Sequence, residues 1–217
     1  KDFSGARRYA GTIGDFGCLS FNGNKLITTG GGGMILTRQE ALADKARYLT
    51  TQAKDDTERF IHNSIGYNYR MTNIQAAIGC AQMEKIGEFL NAKRENFEIY
   101  RECLAGVQGL TFIEEPPYAC SNYWYYTLLV DEKKCGLNAE DLRKKLASRE
   151  VETRPIWELN HRQKPYRHYQ AYKIEKAVFY HRNCLNLPCS VGLDSTLIPK
   201  IGTMIKEWAA RPVGAVL

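Results

Sequence analysis

The first forty residues contain two short apolar runs separated by glycines. The runs cover Phe16–Phe21 and Met34–Thr37, and Gly30–Gly33 lies between them. Short apolar runs bounded by Gly and Asn are typical of buried strands. Neither strand has an obvious partner in this sequence. A short helix is predicted over 39–49.

A longer helical pattern begins at Thr72. Thr72 and Gln75 have the spacing of a capping box, and apolar residues keep the helical period from Ile74 to Leu104. A helix of about thirty residues spans roughly 45 Å, which is too long for one small core. We therefore predict that 76–106 is a helix between domains, with a bend near Gly87.

The composition changes after Gly106, where strand and helix patterns alternate. Predicted strands cover Ser121–Val130 and Val151–Trp157. Two predicted helices cover Asn138–Ala147, with Asn138 as the cap, and Lys173–Arg182. A last helix is predicted from a cap at Asp194 or Ser195 to about Ala209, and Pro212 follows its end. This alternation predicts a two-layer α/β domain over 107–217.

Composition and charge exclude several classes of protein. The longest uncharged run, Pro116–Val130, has 15 residues, fewer than the ~20 that a spanning helix needs. Seven cysteines without a CxxC pair favour reduced thiols in a cytoplasmic protein. Residues 131–182 hold 13 Lys/Arg against 8 Asp/Glu, which indicates either an anionic ligand or solvated helix faces. Acidic residues interrupt the basic ones, so no nucleic-acid partner is predicted.

Most motifs of catalysis are missing. The sequence has no phosphate-binding loop of the GxxxxGK[ST] type, no HExxH and no GxSxG. Its four histidines lack metal-ligand spacing relative to any cysteine. No metal site is predicted.

One segment, Gly14–Ile35, combines groups that could bind a small molecule. Ser20 ends a strand, Lys25 follows five residues later, and two threonines and four glycines precede the next strand. A lysine amine in a crowded turn can act as a nucleophile, and glycines let the backbone approach a flat ring or a phosphate. The spacing alone also fits an ordinary lysine in a glycine-rich hairpin.

Three motifs resemble one known family. SFNGNKLITTGGGGMILT, from Ser20, resembles the Schiff-base lysine segment of the DegT/DnrJ/EryC1/StrS family of pyridoxal-phosphate-dependent nucleotide-sugar aminotransferases. GYNYRMTNIQAAIG, from Gly66, resembles its second motif, and Thr153–Tyr166 resembles its substrate-side loop. Thr50–Asp56 is similar to the branch that serves bacillosamine- and legionaminic-type pathways.

The resemblance implies a fold and an activity. The fold would be fold type I, as in aspartate aminotransferase, with an incomplete large domain over 1–75 and the small α/β domain over 107–217. The activity would be amination of a keto-deoxy nucleotide sugar, namely a UDP-linked 4-keto-6-deoxy-HexNAc, in surface-polysaccharide or glycan biosynthesis. Glutamate would be the amino donor.

The resemblance also assigns site residues. Lys25 would carry pyridoxal phosphate covalently and move the proton during transfer, and Ser20 would bind the cofactor phosphate. Asn68 would reach the phosphate in the neighbouring subunit, which implies a homodimer with a shared active site. The sugar nucleotide would contact three further residues: Arg154, Trp157 and His161. Purely structural roles fit the sequence equally well, namely a surface ion pair for Arg154 and a core position for Trp157.

Two departures from the family pattern matter. Gly31 stands where the family has Glu, and the aspartate that pairs with the pyridine nitrogen would precede Gly11, in a segment this sequence does not contain. We therefore expect the C-terminal part of a longer protein. A dehydratase of the family would carry His in place of Lys25, so the lysine argues against that activity. The alternative that remains is a non-catalytic or regulatory relative, or an inactive fragment.

Overall fold

The first part of the chain forms a small unit of one ribbon and helices. The structure is a computed structural model that describes residues 6–209, and it divides into two compact units between Phe89 and Leu90. Strands β1 (Gly17–Ser20) and β2 (Gly33–Leu36) pair antiparallel, with Ser20 opposite Gly33. Helices α1 (Glu40–Thr50) and α2 (Asn73–Glu84) follow.

The ribbon is more exposed than the sequence predicts. Both strands were expected to be buried, but Met34 and Ile35 are 50% and 47% exposed and Leu19 is 37% exposed. The expectation was wrong because β1 and β2 pair only with each other among the described residues, so no further strand flanks them. The apolar pattern predicts the positions of both strands correctly, but the strands carry more apolar side chains than this unit buries.

The predicted long helix is two helices. Its capping box is present, since Thr72 Oγ1 accepts from the Gln75 amide at 3.3 Å and the Thr72 amide donates to Gln75 Oε1 at 3.1 Å. The helix ends at Lys85, whose φ of −106° and ψ of 5° leave the helical region. Helix α3 (Ile86–Cys103) begins at once, so the interruption falls two residues before Gly87.

The second unit is built on a four-stranded antiparallel sheet. Its strands are β3 (Leu110–Phe112), β4 (Tyr126–Val130), β5 (Arg154–Pro155) and β6 (Cys184–Leu187), in the spatial order β3-β4-β6-β5. Helices α4 (Glu132–Cys135), α5 (Ala139–Ala147), α6 (Glu175–Asn183) and α7 (Leu197–Ala209) connect and flank them. Two 3₁₀ turns, Asn160–Arg162 and Lys164–Tyr166, follow β5.

The sequence locates these helices better than the strands. Asn138 caps α5, as predicted, by accepting from the Asp141 amide at 2.8 Å. The predicted strand from Ser121 was too long, because Tyr123 has a φ of 45° and pairing starts only at Tyr126. The strand predicted over Val151–Trp157 is reduced to β5. Strands β3 and β6 were not predicted, and Pro212 lies outside the described residues.

The sheet and α3 enclose an aromatic core. Tyr100, Tyr126 and Leu128 have no exposed surface, and Phe97 stacks on Tyr123 with ring centroids 4.1 Å apart. Burial of such side chains is worth roughly 1.5–3 kcal/mol each. This core fixes the positions from which the loops after β5 and before β4 extend.

No helix among residues 6–209 is both long enough and apolar enough to cross a membrane.

Candidate functional site

Lys25 lies in a turn that backbone hydrogen bonds close. The Phe21 amide donates to the Gly32 carbonyl at 3.1 Å, and the Thr29 amide donates to the Phe21 carbonyl at 3.0 Å. Within the turn, the Lys25 amide donates to the Asn22 carbonyl at 3.0 Å, and Lys25 is half-buried. The lysine is therefore held in a short, closed loop between the two strands.

Ser20 stands at the entrance of the same turn. Its side chain is exposed, and its Oγ accepts from the Asn22 amide at 3.4 Å. Asn22 therefore contacts both residues, through its amide to Ser20 and through its carbonyl to Lys25. The structure thus places Ser20 and the backbone of Lys25 on one short turn, linked through Asn22. Their roles toward a cofactor stay a prediction.

Two threonines stiffen the glycine-rich side of the turn. Thr28 Oγ1 donates to the Phe21 carbonyl at 3.0 Å and accepts from the Gly30 amide at 2.9 Å. Thr29 is 4% exposed, and its hydroxyl donates to the Gly31 carbonyl. The Thr28 amide donates to Gln82 Oε1 in α2 at 3.3 Å. Sequence reasoning missed Gln82, because a glutamine on a helix carries no local sign of a partner 54 residues away.

The glycines keep the turn free of side chains where the backbone is crowded. A Cβ on Gly33 would lie 2.5 Å from the Leu19 carbonyl oxygen, so only glycine fits that strand pair. Gly32 has a φ of +88°, a conformation that other residues rarely adopt. By contrast, a Cβ on Gly31 would meet nothing closer than Gln75 Nε2 at 3.9 Å.

Asn68 lies elsewhere on the first unit. It forms an isolated bridge with Thr51, and the rings of Tyr67 and Tyr69 stack beside it with centroids 4.9 Å apart. Asn68 is exposed and lines an open cleft of about 850 Å³ together with Arg70 and residues of β2. Neither Ser20 nor Lys25 lines that cleft.

The substrate-side residues predicted from sequence belong to the second unit. Arg154 is exposed and forms an ion pair with Glu152, which is the surface pairing left open above. Trp157 is 57% exposed, which excludes a core position. His161 is half-buried in the first 3₁₀ turn. All three lie within eight consecutive residues.

The turn at Lys25 has groups that suit pyridoxal phosphate. The lysine amine can join an aldehyde, the Ser20 hydroxyl can donate to a phosphate, and the side-chain-free glycines admit a flat ring. Within residues 6–209, no group of three His, Cys, Asp or Glu residues is arranged to hold a metal ion.

This fold is fold type I, the fold of pyridoxal-phosphate-dependent sugar aminotransferases. The chain matches TlmJ, an aminotransferase from Streptoalloteichus hindustanus, with a TM-score of 0.85 and 26% identity, covering 94% of this chain and 54% of TlmJ.

The chain belongs to the DegT/DnrJ/EryC1/StrS aminotransferase family, whose model matches residues 3–206. Pyridoxal phosphate is the cofactor of this family. EpsN of Bacillus subtilis, which carries the name of a pyridoxal phosphate-dependent aminotransferase, is 41% identical over 72% of this chain and 39% of its own length. GDP-perosamine synthase of Vibrio cholerae is 34% identical over 91% of this chain and 54% of its own length. The chain thus spans about half the length of these relatives or less.

Proposed function

We propose that this chain is the lysine-bearing part of a pyridoxal-phosphate-dependent aminotransferase that aminates a keto-deoxy nucleotide sugar. The substrate class is a UDP-linked 4-keto-6-deoxy-HexNAc and the amino donor is glutamate, for use in surface-polysaccharide or glycan biosynthesis. The observation that carries the proposal is the closed turn that contains Lys25 and begins at Ser20, with Asn22 bonded to both residues.

Lys25 and Ser20 would hold the cofactor at two points. The Lys25 amine would bind the aldehyde covalently with loss of water, and the Ser20 hydroxyl would donate to the phosphate. Pyridoxal phosphate, when bound, supplies an aldehyde for the incoming amine and a ring that stores electrons. Lys25 Nζ, once released, would accept the proton that leaves the α carbon of the donor amino acid.

Arg154, Trp157 and His161 would bind the sugar nucleotide. Their support is that they share one basic and aromatic segment of the second unit, and that two of them are exposed. The proposal also assigns residues 1–75 to the large domain and residues 107–217 to the small domain. The helical segment 76–106 would join the two domains. The seven cysteines are free thiols, which supports a cytoplasmic protein.

Asn68 would act on the cofactor of the second subunit in a homodimer. The support is that Asn68 lies on a cleft whose lining contains neither Ser20 nor Lys25. Co-expression of Lys25→Ala and Asn68→Ala chains tests this directly. A mixed dimer would contain one intact site, made of Lys25 from one chain and Asn68 from the other, and should regain activity that each variant alone lacks. Activity that stays absent in verified mixed dimers would contradict the shared site.

Borohydride trapping tests the role of Lys25 independently of turnover. The complete gene product that contains this chain is reduced with its cofactor, digested and analysed by mass spectrometry. The phosphopyridoxyl group should be found on the peptide that contains Lys25, and should disappear in Lys25→Ala. The matched control is Lys45→Ala, because Lys45 is an exposed lysine in α1. Label on a different lysine would contradict the assignment.

The substrate class is tested with keto sugars on different nucleotides. Glutamate and the UDP-linked 4-keto-6-deoxy-HexNAc should give the aminated sugar, whereas the GDP-linked 4-keto-6-deoxy sugar should react more slowly. A faster reaction of the GDP-linked sugar would assign the chain to the chemistry named for the perosamine synthases. Absence of both reactions, with no cofactor trapped, would favour the non-catalytic or regulatory alternative or an inactive fragment.

A further inference from the structure

Three aromatic rings form a cluster at one edge of the second unit. The Trp157 ring contacts Tyr125 edge-on, with centroids 5.0 Å apart and an angle of 81°, and it lies 5.8 Å from the Trp124 ring. Trp124 and Tyr125 are half-buried and 4.5 Å apart, whereas Trp157 is 57% exposed. The two inner rings therefore support Trp157, and more than half of its surface remains open to solvent.

The backbone beneath the cluster is fixed. The Trp124 carbonyl accepts from Lys93 Nζ at 3.0 Å and from Cys189 Sγ at 3.3 Å. Lys93 is 3% exposed, and its own carbonyl accepts from the Tyr126 hydroxyl at 2.8 Å. Burial lowers the pKa of Lys93. Because these bonds join α3, β4 and the loop after β6, the rings stand on a rigid base rather than on a mobile loop.

The chain around Trp157 is strongly basic. Residues 154–182 contain seven Lys/Arg and three His against two Glu. One of those glutamates, Glu158, already lies 3.9 Å from Arg162 and 3.6 Å from His181. A flat exposed indole within a cationic segment suits a ligand that has both a planar ring and negative charge. A nucleoside diphosphate has both, whereas the pyranose ring alone is neither planar nor charged.

We propose that Trp157, supported by Tyr125 and Trp124, is the surface on which the nucleobase of the substrate stacks. This rests on the proposed function and adds the part of the substrate that these rings contact. Stacking on an aromatic ring tolerates every base, because each base has a π face. Trp157 therefore contributes affinity for the nucleotide and does not select among bases.

Tryptophan fluorescence measures this contact, since the chain has three tryptophans and only one of them is proposed to stack. The complete gene product with its cofactor is titrated with UDP, GDP and inorganic diphosphate. The two nucleotides should quench the fluorescence, and inorganic diphosphate should not. In Trp157→Leu the quenching should disappear, and calorimetric titration should show that both nucleotides bind about tenfold more weakly, at the lower end of what a stacked base is worth.

Two further variants make the result specific. Trp208→Phe is the matched control, because Trp208 lies on α7 under Lys145 and outside the cluster; it should bind and quench like wild type. Trp157→Phe keeps an aromatic face and should recover most of the lost affinity, which a fold defect would not allow.

The outcomes separate this inference from the proposed function. Conversion of the cofactor by glutamate alone needs no nucleotide, so in the wild type it tests the aminotransferase without involving the proposed stacking surface. Unchanged nucleotide affinity in Trp157→Leu, with a wild type that reacts with glutamate, would overturn the stacking surface and leave the aminotransferase standing. Weaker binding of the intact nucleotide sugar but not of free UDP or GDP would also overturn it, because the rings would then contact the pyranose. A wild type that does not react with glutamate would contradict the aminotransferase, whatever the titrations give.

Discussion

The Thr28 amide donates a hydrogen bond to Gln82 Oε1 at 3.3 Å, across 54 residues of chain. This bond joins the turn that carries Lys25 to the last turn of α2. A helix that is capped at its start by Thr72 and Gln75 therefore also supports the segment proposed to hold the cofactor. The site depends on this support, because the ribbon itself has only two short strands.

Gln82→Ala should weaken cofactor retention without removing Lys25. A hydrogen bond of this kind is worth about 1 kcal/mol, so the dissociation constant of pyridoxal phosphate should rise roughly five-fold. The measurement is a titration of the cofactor-free protein by absorbance. Glu84→Ala, an exposed change two residues along the same helix, should leave the constant unchanged. Equal effects from both variants would show that the Thr28 contact does not matter.

Replacement of Lys25 should abolish transamination. Proton transfer by a positioned side chain contributes about 10²- to 10⁴-fold in rate, and the covalent route is lost as well. Lys25→Arg keeps the positive charge but not the nucleophilic amine, so it should be as inactive as Lys25→Ala. Rates are measured with glutamate and the keto sugar in single turnover. Activity within about tenfold of wild type, less than that expected loss, would require another lysine to be sought.

Two glycines of the same turn should respond in opposite ways to a methyl group. Gly33→Ala places Cβ 2.5 Å from the Leu19 carbonyl oxygen, so the ribbon must open and the midpoint of thermal unfolding should fall. Gly31→Ala meets nothing within 3.9 Å and should change stability by no more than about 0.5 kcal/mol. The measurement is the midpoint of thermal unfolding of each variant, compared with that of wild type. A larger loss for Gly31→Ala than for Gly33→Ala would contradict the geometry.

Stability should fall at alkaline pH because of Cys184. Burial in β6 raises the pKa of this thiol from 9.0 to about 11. Between these values the unfolded chain loses the proton while the folded chain keeps it, so deprotonation stabilises the unfolded state relative to the folded state by up to about 2–3 kcal/mol. Below pH 9 this contribution to folding is fully present. Cys184→Ala should therefore lose less stability than wild type between pH 9 and 11, measured by urea unfolding; parallel curves would contradict the shift.

The sequence predicts local features well and distant ones poorly. The caps at Thr72 and Asn138 depend on residues three positions apart, and both form as predicted. Ser20 and Lys25 lie five residues apart, so their position on one turn also follows from the spacing. Lys93 could not be recognised, because its burial depends on carbonyls 31 and 96 residues further along the chain. Strand β6 was missed because Asn186 interrupts its apolar run, although Thr127 Oγ1 satisfies its Oδ1 at 2.7 Å.

The interruption at Lys85 shows a second limit of structure prediction from sequence patterns. Apolar residues keep their helical period through both α2 and α3, so the pattern does not reveal that the helix is interrupted at Lys85. The break is set by the backbone of Lys85, whose amide bonds to the carbonyls of Gln82 and Met83. Because lysine is a good helix former, the helix propensity of this residue does not predict the interruption.

The exposed faces of β1 and β2 have a consequence for how the protein is handled. Unpaired strand edges that carry apolar side chains such as Met34 and Ile35 readily add strands from other chains. A preparation containing only these 217 residues should therefore self-associate as its concentration rises. Ile35→Lys would place a positive charge on the exposed ribbon and should therefore reduce light scattering in such a preparation. The segment that presents the reactive amine thus also carries exposed apolar side chains that favour self-association.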